Sequence, residues 1–456
     1  MPMSELSIPY GKENIQWSAP SNNVIIYTCN SLPTIENIEQ NVIASLKDPI
    51  NSIPLKECVQ KTDKVAIIVS DSARLFPQEK VLRSVLSELS YVPISNVTII
   101  IANGNHQCSD PASIGINKEM CQQYRVINHN SRDNESLTVV GFIPSKERKY
   151  FLKQAVKHFA RSLVAMPEKI VKIILSFVKG DIESVRALIG YTALGRALCV
   201  YSASLENKIK IHRVVKDADI SILIGQIKPH FLAGFSGGLK AIFPGCADIT
   251  SIAKNHFMMN HPSVQLGKNE NNIIRDHIEK SAEMCGKSFM VNVVMNPDKT
   301  VAGVFAGDPV FAQRLGSEQC REIGHVKTSS ADIVVTSEGF PEAINLYQLI
   351  KIIPPAALIV RKGGAIICVG ACSHGIGGLC VVNDITCKIG FWHLLPTDVR
   401  MYLVSDLPKS DVDKTEFIYA KTIDEALEKE RSNFDSEPEI TVLSGAGLMI
   451  PEVIDN

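Results

Sequence analysis

Four glycines, a lysine and two histidines crowd one short region of this chain, and together they could bind an anion, a metal or both. In PHFLAGFSGGLKAIFPG, Gly234, Gly237, Gly238 and Gly245 lie within twelve residues, with Ser236 and Lys240 among them and His230 at the head. Glycines let backbone N–H groups approach a phosphate closely, and a helix N-terminus that follows favours the anion. A nucleoside-triphosphate loop needs Gly immediately before the Lys and Ser or Thr immediately after it. Here Leu239 precedes Lys240 and Ala241 follows it. No G-x-G-x-x-G follows a predicted strand, so a dinucleotide fingerprint is absent as well. His256 stands sixteen residues beyond Lys240, and His261 five beyond that. A zincin pair needs a spacing of four with Glu after the first His, so that motif fails too. Imidazole suits zinc, copper, iron and nickel alike.

Such residues need a scaffold. Short apolar runs at Lys64–Ser70, Asn96–Ala102, Arg125–Asn128 and Ile220–Gln226 read as strands buried on both faces. Helical segments alternate with them, including one opened by Pro77 and running through Leu89. That alternation predicts an α/β fold with parallel or mixed sheets, whose strand carboxyl ends line the ligand crevice. Asp71, Arg74, His106 and His129 all follow such strand ends. Asn271–Gly286 reads as a helical link, after which strands at Phe289–Met295, Ile333–Thr336 and Ala365–Val369 make a second α/β domain. A helix is expected from Pro341 to about Ile353, stopped by Pro354 and Pro355. The expected domains are 1–275 and 276–456, with the site in the cleft between them.

Composition sets the outer limits. At about 150 residues per domain, 456 residues suggest two or three domains. With 45% hydrophobic and 21% charged residues the chain can bury real cores, and its net charge of -1 gives no global attraction to nucleic acid or anionic membrane. Twelve scattered cysteines, no signal-peptide pattern and no apolar run of membrane-spanning length point to reduced thiols and a cytoplasmic location. From Lys146 to Lys179, nine basic residues face two acids, Glu147 and Glu168, with apolar residues at helical spacing. This reads as a basic helical insertion covering about 146–188, its charged face solvated.

The order SDSAR, GNH, NHN, PHFLAGFSGGLK and NH, with a later LYQLIK, resembles the lactate racemase family, whose enzymes carry a nickel pincer nucleotide. The resemblance covers most of the chain. It implies a 2-hydroxy acid racemase or epimerase that works by hydride transfer to and from the cofactor, through a 2-keto acid. Residue by residue it implies Lys240 as the covalent anchor of the nucleotide, His256 as the nickel ligand, and His106 with His230 as the acid/base pair. Asp71 and Arg74 would lie at cofactor and substrate, with Ser236, Gly237 and Gly238 at the cofactor. Tyr347, Gln348 and Lys351 would close over the substrate. Partners implied are a small 2-hydroxy acid and the proteins that build the cofactor; an oligomer is possible.

Two departures stand out. The family turn D-x-T-R-P is Asp71-Ser72-Ala73-Arg74-Leu75 here, and Gln107 follows the first histidine where Arg is common. GYTALGRAL at Gly190–Leu198 resembles the family's GTTSxGTP segment, downstream of the insertion. Two other readings of the same residues remain open: a non-racemising phosphate-ligand binding protein, and a zinc enzyme using His230 and His256.

Overall fold

Two six-stranded sheets organise the chain. The computed structural model describes residues 3–20, 23–164, 200–377, 394–413 and 415–454. In chain order the strands are β1 (Met3–Pro9), β2 (Asn14–Pro20), β3 (Val24–Tyr27), β4 (Val65–Ser70), β5 (Val97–Ala102), β6 (Arg125–Asn128), β7 (Leu137–Ile143), β8 (Asn207–His212) and β9 (Ile220–Ile227). A two-residue pair follows, β10 (Pro229–His230) and β11 (Gly234–Phe235), then β12 (Lys287–Met295) and β13 (Val301–Gly307). The remainder are β14 (His325–Thr328), β15 (Ala331–Ser337), β16 (Val360–Val369), β17 (Arg400–Val404), β18 (Ile418–Ala420), β19 (Ile440–Ser444) and β20 (Ile450–Val453).

The first sheet has the order β13-β12-β9-β4-β5-β6, parallel except for the antiparallel edge β13. The second has the order β18-β17-β16-β15-β19-β3 and is parallel throughout. Central strands covered on both faces must be apolar at nearly every position. β9 is buried at all eight positions and largely apolar, Ser221 and Gln226 being its polar side chains. One apolar cluster runs from Ile68 and Leu223 in the first sheet to Val334 and Ile366 in the second. Both sheets therefore pack against a shared core.

Three expectations need correction. Phe289–Met295 is not a strand of the second domain: β12 pairs in parallel with β9, and helix Ile273–Glu283 is the crossover between them. Sheet membership thus changes after β13, not at 275/276. A strand read alone cannot reveal its partner, because pairing is a long-range property. Second, the expected helix from Pro341 is broken into short turns, Glu342–Ile344, Leu346–Leu349 and Ile350–Ile352. Asn345 adopts extended backbone between the first two and caps the second, its side chain accepting the Gln348 N–H at 2.9 Å. Third, Pro354 and Pro355 do not end that helical run. They sit in the first turn of Ile353–Ala357, where a missing N–H costs nothing.

Within the basic segment, a helix runs over Arg148–Val164. The rest of the expected insertion, 165–188, and the GYTALGRAL segment lie outside the described residues. Among the described residues no helix is long and apolar enough to cross a membrane.

Candidate active site

The site gathers where strands end. β4 delivers Asp71 and Arg74, β5 delivers His106, and β9 runs into His230; all four line one cavity of about 130 Å³. Ser236, Gly237, Gly238, Lys240 and His256 line the same cavity, as do Tyr347 and Lys351 from the turns after β15. Gln348 reaches it from an adjoining space, its Nε2 lying 3.5 Å from His106 Nε2.

The two candidate proton carriers are wired differently. His106 Nδ1 lies 2.5 Å from the Asp71 carboxylate. Nδ1–H therefore donates to Asp71, which leaves the Nε2 lone pair of His106 facing the cavity. Burial pushes the Asp71 carboxyl up, but the His106 ring, Arg74 and Lys351 outweigh it and hold it below the usual carboxylate range. At His230 the pattern is reversed. Its Nδ1 accepts from the backbone N–H groups of Leu232 (3.1 Å) and Ala233 (3.3 Å), so its proton sits on Nε2. Burial, then the nearby charges of Lys240, Arg74 and Lys351, push its pKa well below the ordinary histidine value.

Cations dominate the rest. Lys240 lies in the 3-10 turn Gly238–Ala241, half-buried. Among the described residues its ammonium pairs with no carboxylate. Burial, then Arg275, Arg74 and Lys351, push it well below the usual lysine range, which favours the free nucleophilic amine. Lys351 is pushed down to about 7 by burial and then by Arg74, against the pull of Asp71. It donates to Gln348 Oε1 and lies 5.9 Å over the Tyr347 ring. Arg74 bonds the Ala73 carbonyl at 3.1 Å, and among the described residues it forms no ion pair. The cavity is therefore built for anions.

His256 closes the helix Ile249–His256, where its Nδ1–H donates to the Ile252 carbonyl at 3.0 Å. That bond fixes the tautomer and leaves Nε2 as a lone pair for a metal. Burial and Lys240 depress its pKa to about 3, so the ring is neutral, as a ligand must be. Among the described residues no three His, Cys, Asp or Glu side chains converge on one point. A zinc site takes three or four protein donors, and no such set is assembled among the described residues.

The glycine-rich turn needs its glycines. Gly237 has φ +79°, and a Cβ there would come within 2.6 Å of Asn292 Oδ1; Gly238 has φ +59°, with Pro309 O 2.8 Å away. The Ser236 hydroxyl is committed inward, donating to the Gln226 carbonyl at 2.7 Å and accepting the Lys228 N–H at 2.9 Å. It therefore braces the turn, its one donor committed to backbone.

Two residues that sequence reasoning passed over hold this turn in place. Asn292, buried in β12, accepts the Gly238 N–H at 2.7 Å and donates to the Leu223 carbonyl at 3.1 Å. The visible signal was a lone amide inside the apolar run FMVNVVM. Arg275 is buried and donates to the Ala233 carbonyl at 3.1 Å and to the Phe235 carbonyl. On an otherwise amphipathic helix it carried no signal. His129 is the converse case. It is fully buried, donates from Nε2 to Ala247 O at 2.9 Å, and is held neutral by burial with a pKa of about 4. It supports the loop after Pro244 and takes no place in the cavity.

Comparison with known proteins bears on the whole chain. A family model for the lactate racemase N-terminal domain matches residues 10–163 and 197–267, and one for the lactate racemase C-terminal domain matches 326–390. The N-terminal match passes over 164–196, so the helix Arg148–Val164 falls largely inside the family pattern and the unmatched stretch begins after it. A lactate racemase of Thermoanaerobacterium thermosaccharolyticum is 26% identical over 385 residues, covering 82% of this chain and 76% of that protein. A lactate racemase of Lactiplantibacillus plantarum is 26% identical over 494 residues, covering 98% and 100%. In three dimensions the chain is similar to the lactate racemase apoprotein from T. thermosaccharolyticum, with TM-score 0.76, 24% identity and coverage of 98% and 100%. It is also similar to a structural-genomics protein from Thermotoga maritima, with TM-score 0.61, 17% identity and coverage of 93% and 100%.

Proposed function

We propose that this chain, which belongs to the lactate racemase family and is an isomerase, racemises or epimerises a 2-hydroxy acid with the help of a nickel pincer nucleotide, in a cleft between its two α/β halves. The observation that carries the reading is the pairing of oppositely wired histidines, His106 and His230, across one cationic cavity. The residues fit the cofactor. Lys240 offers a buried amine whose lowered pKa favours the nucleophilic form, His256 offers a single fixed lone pair for nickel, and Gly237 and Gly238 line the cavity in a turn too tight for any Cβ. When bound, the group would supply an acceptor that takes the α-hydrogen with its electron pair and returns it to either face of the carbon.

The chain's own residues do the remaining work. Lys351 and Arg74 hold the substrate carboxylate, and Tyr347 and Gln348 confine it. His106 accepts the hydroxyl proton at Nε2 as the C–O bond becomes a carbonyl, and Asp71 stabilises the imidazolium that forms. His230 presents Nε2–H to the same oxygen and polarises it. Serving the opposite enantiomer as the base requires the His230 proton to leave Nε2 and the Leu232 and Ala233 contacts to give way. The two directions therefore start from unequal resting states. The nine described cysteines are free thiols, which supports a reducing, cytoplasmic setting.

Protein produced together with the cofactor pathway tests this directly. Intact mass should show an adduct on Lys240, and nickel should be present at one equivalent. Racemisation in D2O should leave the α-hydrogen unexchanged, because a hydride is not shared with solvent. An unmodified Lys240 without nickel, or deuterium at the α-carbon, overturns the reading.

A further inference from the structure

A much larger cavity adjoins the small one. The outer space measures about 990 Å³ and shares Asp71, Asn105, His106 and Tyr347 with the inner chamber as a common wall. Its other walls mix polar groups, among them Gln107, Asn130, Arg132 and His374, with apolar Ile344 and Ile376. Asp71 is its one acid among the described residues, and that carboxylate is already committed to His106.

Arg132 gives this vestibule its sign. It sits in the turn after β6, where its backbone N–H donates to Asn130 Oδ1 at 3.1 Å and fixes the turn. Its guanidinium is exposed and forms no ion pair among the described residues. The adjacent Asp133 carboxylate accepts the Glu135 N–H at 3.1 Å and, among the described residues, forms no ion pair with Arg132. Arginine recognises carboxylate and phosphate through paired N–H donors.

The α-carbon of a 2-hydroxy acid has four substituents. The proposed function, on which this step rests, places three of them in the inner chamber: the hydrogen, the hydroxyl and the carboxylate. The fourth, the carbon chain, leaves past Asp71, His106 and Tyr347 into the vestibule. We propose that the vestibule is a subsite for the substrate's chain, and that the preferred substrate is a 2-hydroxy acid bearing a second anionic group, recognised by Arg132.

The test compares cofactor-loaded protein on lactate, malate, 2-hydroxyglutarate, phenyllactate and gluconate. A dicarboxylate should exceed lactate in kcat/KM by tenfold or more. Arg132→Ala should remove that advantage about tenfold and leave lactate turnover unchanged. Calorimetry adds a readout independent of turnover: 2-oxoglutarate should bind at least tenfold tighter than pyruvate, and Arg132→Ala should erase the difference. Preference for lactate, phenyllactate or gluconate, or an Arg132→Ala variant that discriminates as the parent does, overturns the subsite while leaving the racemase reading intact. No turnover of any hydroxy acid by loaded protein overturns the racemase reading instead, and the binding ratio then decides the subsite separately.

Discussion

Lys351 shows how far a single residue's environment departs from what its name suggests. A lysine near the end of LYQLIK could equally be solvated surface, yet it lies over the Tyr347 ring and is pushed down to about 7. Burial is the first cause and the Arg74 charge the second. The sign of the consequence follows directly. Below about pH 7 the ammonium is charged and can hold a substrate carboxylate; above it the charge is lost. The value of kcat/KM, which reports the free enzyme, should therefore fall as pH rises through about 7. Lys351→Arg keeps its charge across this range and should remove that limb at some cost in overall rate. A pH profile of both proteins checks this, and a limb unmoved in the variant assigns it elsewhere. Chemistry-bearing side chains at strand ends, such as Asp71, Arg74 and His106, were legible because local sequence marks both the strand and its end. Their supports were not. Asn292 and Arg275 act through contacts 54 and 40 residues away in sequence, and no local pattern encodes such a pairing.

Elements were legible where their composition was extreme. β4, β5 and β9 are nearly unbroken apolar runs, as two-sided burial demands. The N-terminal hairpin β1–β2 escaped notice because only one of its faces is buried, so its residues alternate and look polar on average. It nevertheless covers the second sheet. Ile8, Trp17 and Ala19 are buried there among Ile333, Val335 and Ile367, and Trp17 Nε1 donates to Asp424 at 2.9 Å. Losing a buried aromatic of that size costs about 3–5 kcal/mol. Trp17→Ala should therefore lower the melting temperature of the protein substantially, while Trp17→Phe, which keeps most of the apolar contact, should cost less. Thermal melts of the three proteins measure it, and equal melting temperatures would mean that the hairpin adds little to the second sheet. The broken run from Glu342 to Ile352 teaches a related lesson. Its composition suits one helix, but the Asn345 cap restarts it and so decides which way Tyr347 and Lys351 face.

At the scale of the molecule, the two sheets are joined at their strand carboxyl ends. Lys228 follows β9, while Glu338 and Glu342 follow β15, so this cluster ties the carboxyl ends of both sheets together. Lys228 forms an ion pair with Glu342, and both side chains are about nine-tenths buried. Glu338 accepts the backbone N–H groups of Gly339 (3.0 Å) and Gly447 (2.6 Å), and burial raises its pKa against those bonds. None of this was legible in the sequence, since the two ends of the pair lie 114 residues apart and in different sheets. Removing one partner from a buried ion pair leaves a charge with nothing to offset its lost hydration, at about 3–5 kcal/mol, whereas replacing both with apolar groups is often close to neutral. Glu342→Gln should therefore destabilise the cofactor-free protein by roughly 3 kcal/mol, and the pair Lys228→Met with Glu342→Leu should recover most of that loss. Denaturant unfolding of the three proteins reads the difference, and a double variant at least as unstable as the single one would show that the pair contributes net stability. The same variants separate stability from geometry. Tyr347 lies five residues beyond Glu342 and Lys351 four beyond that, so a loosened tie displaces the segment proposed to confine the carboxylate. The Gln variant should raise KM more than it lowers kcat, because the proposed acid/base residues remain on the first sheet while those proposed to grip the carboxylate from the second sheet move away.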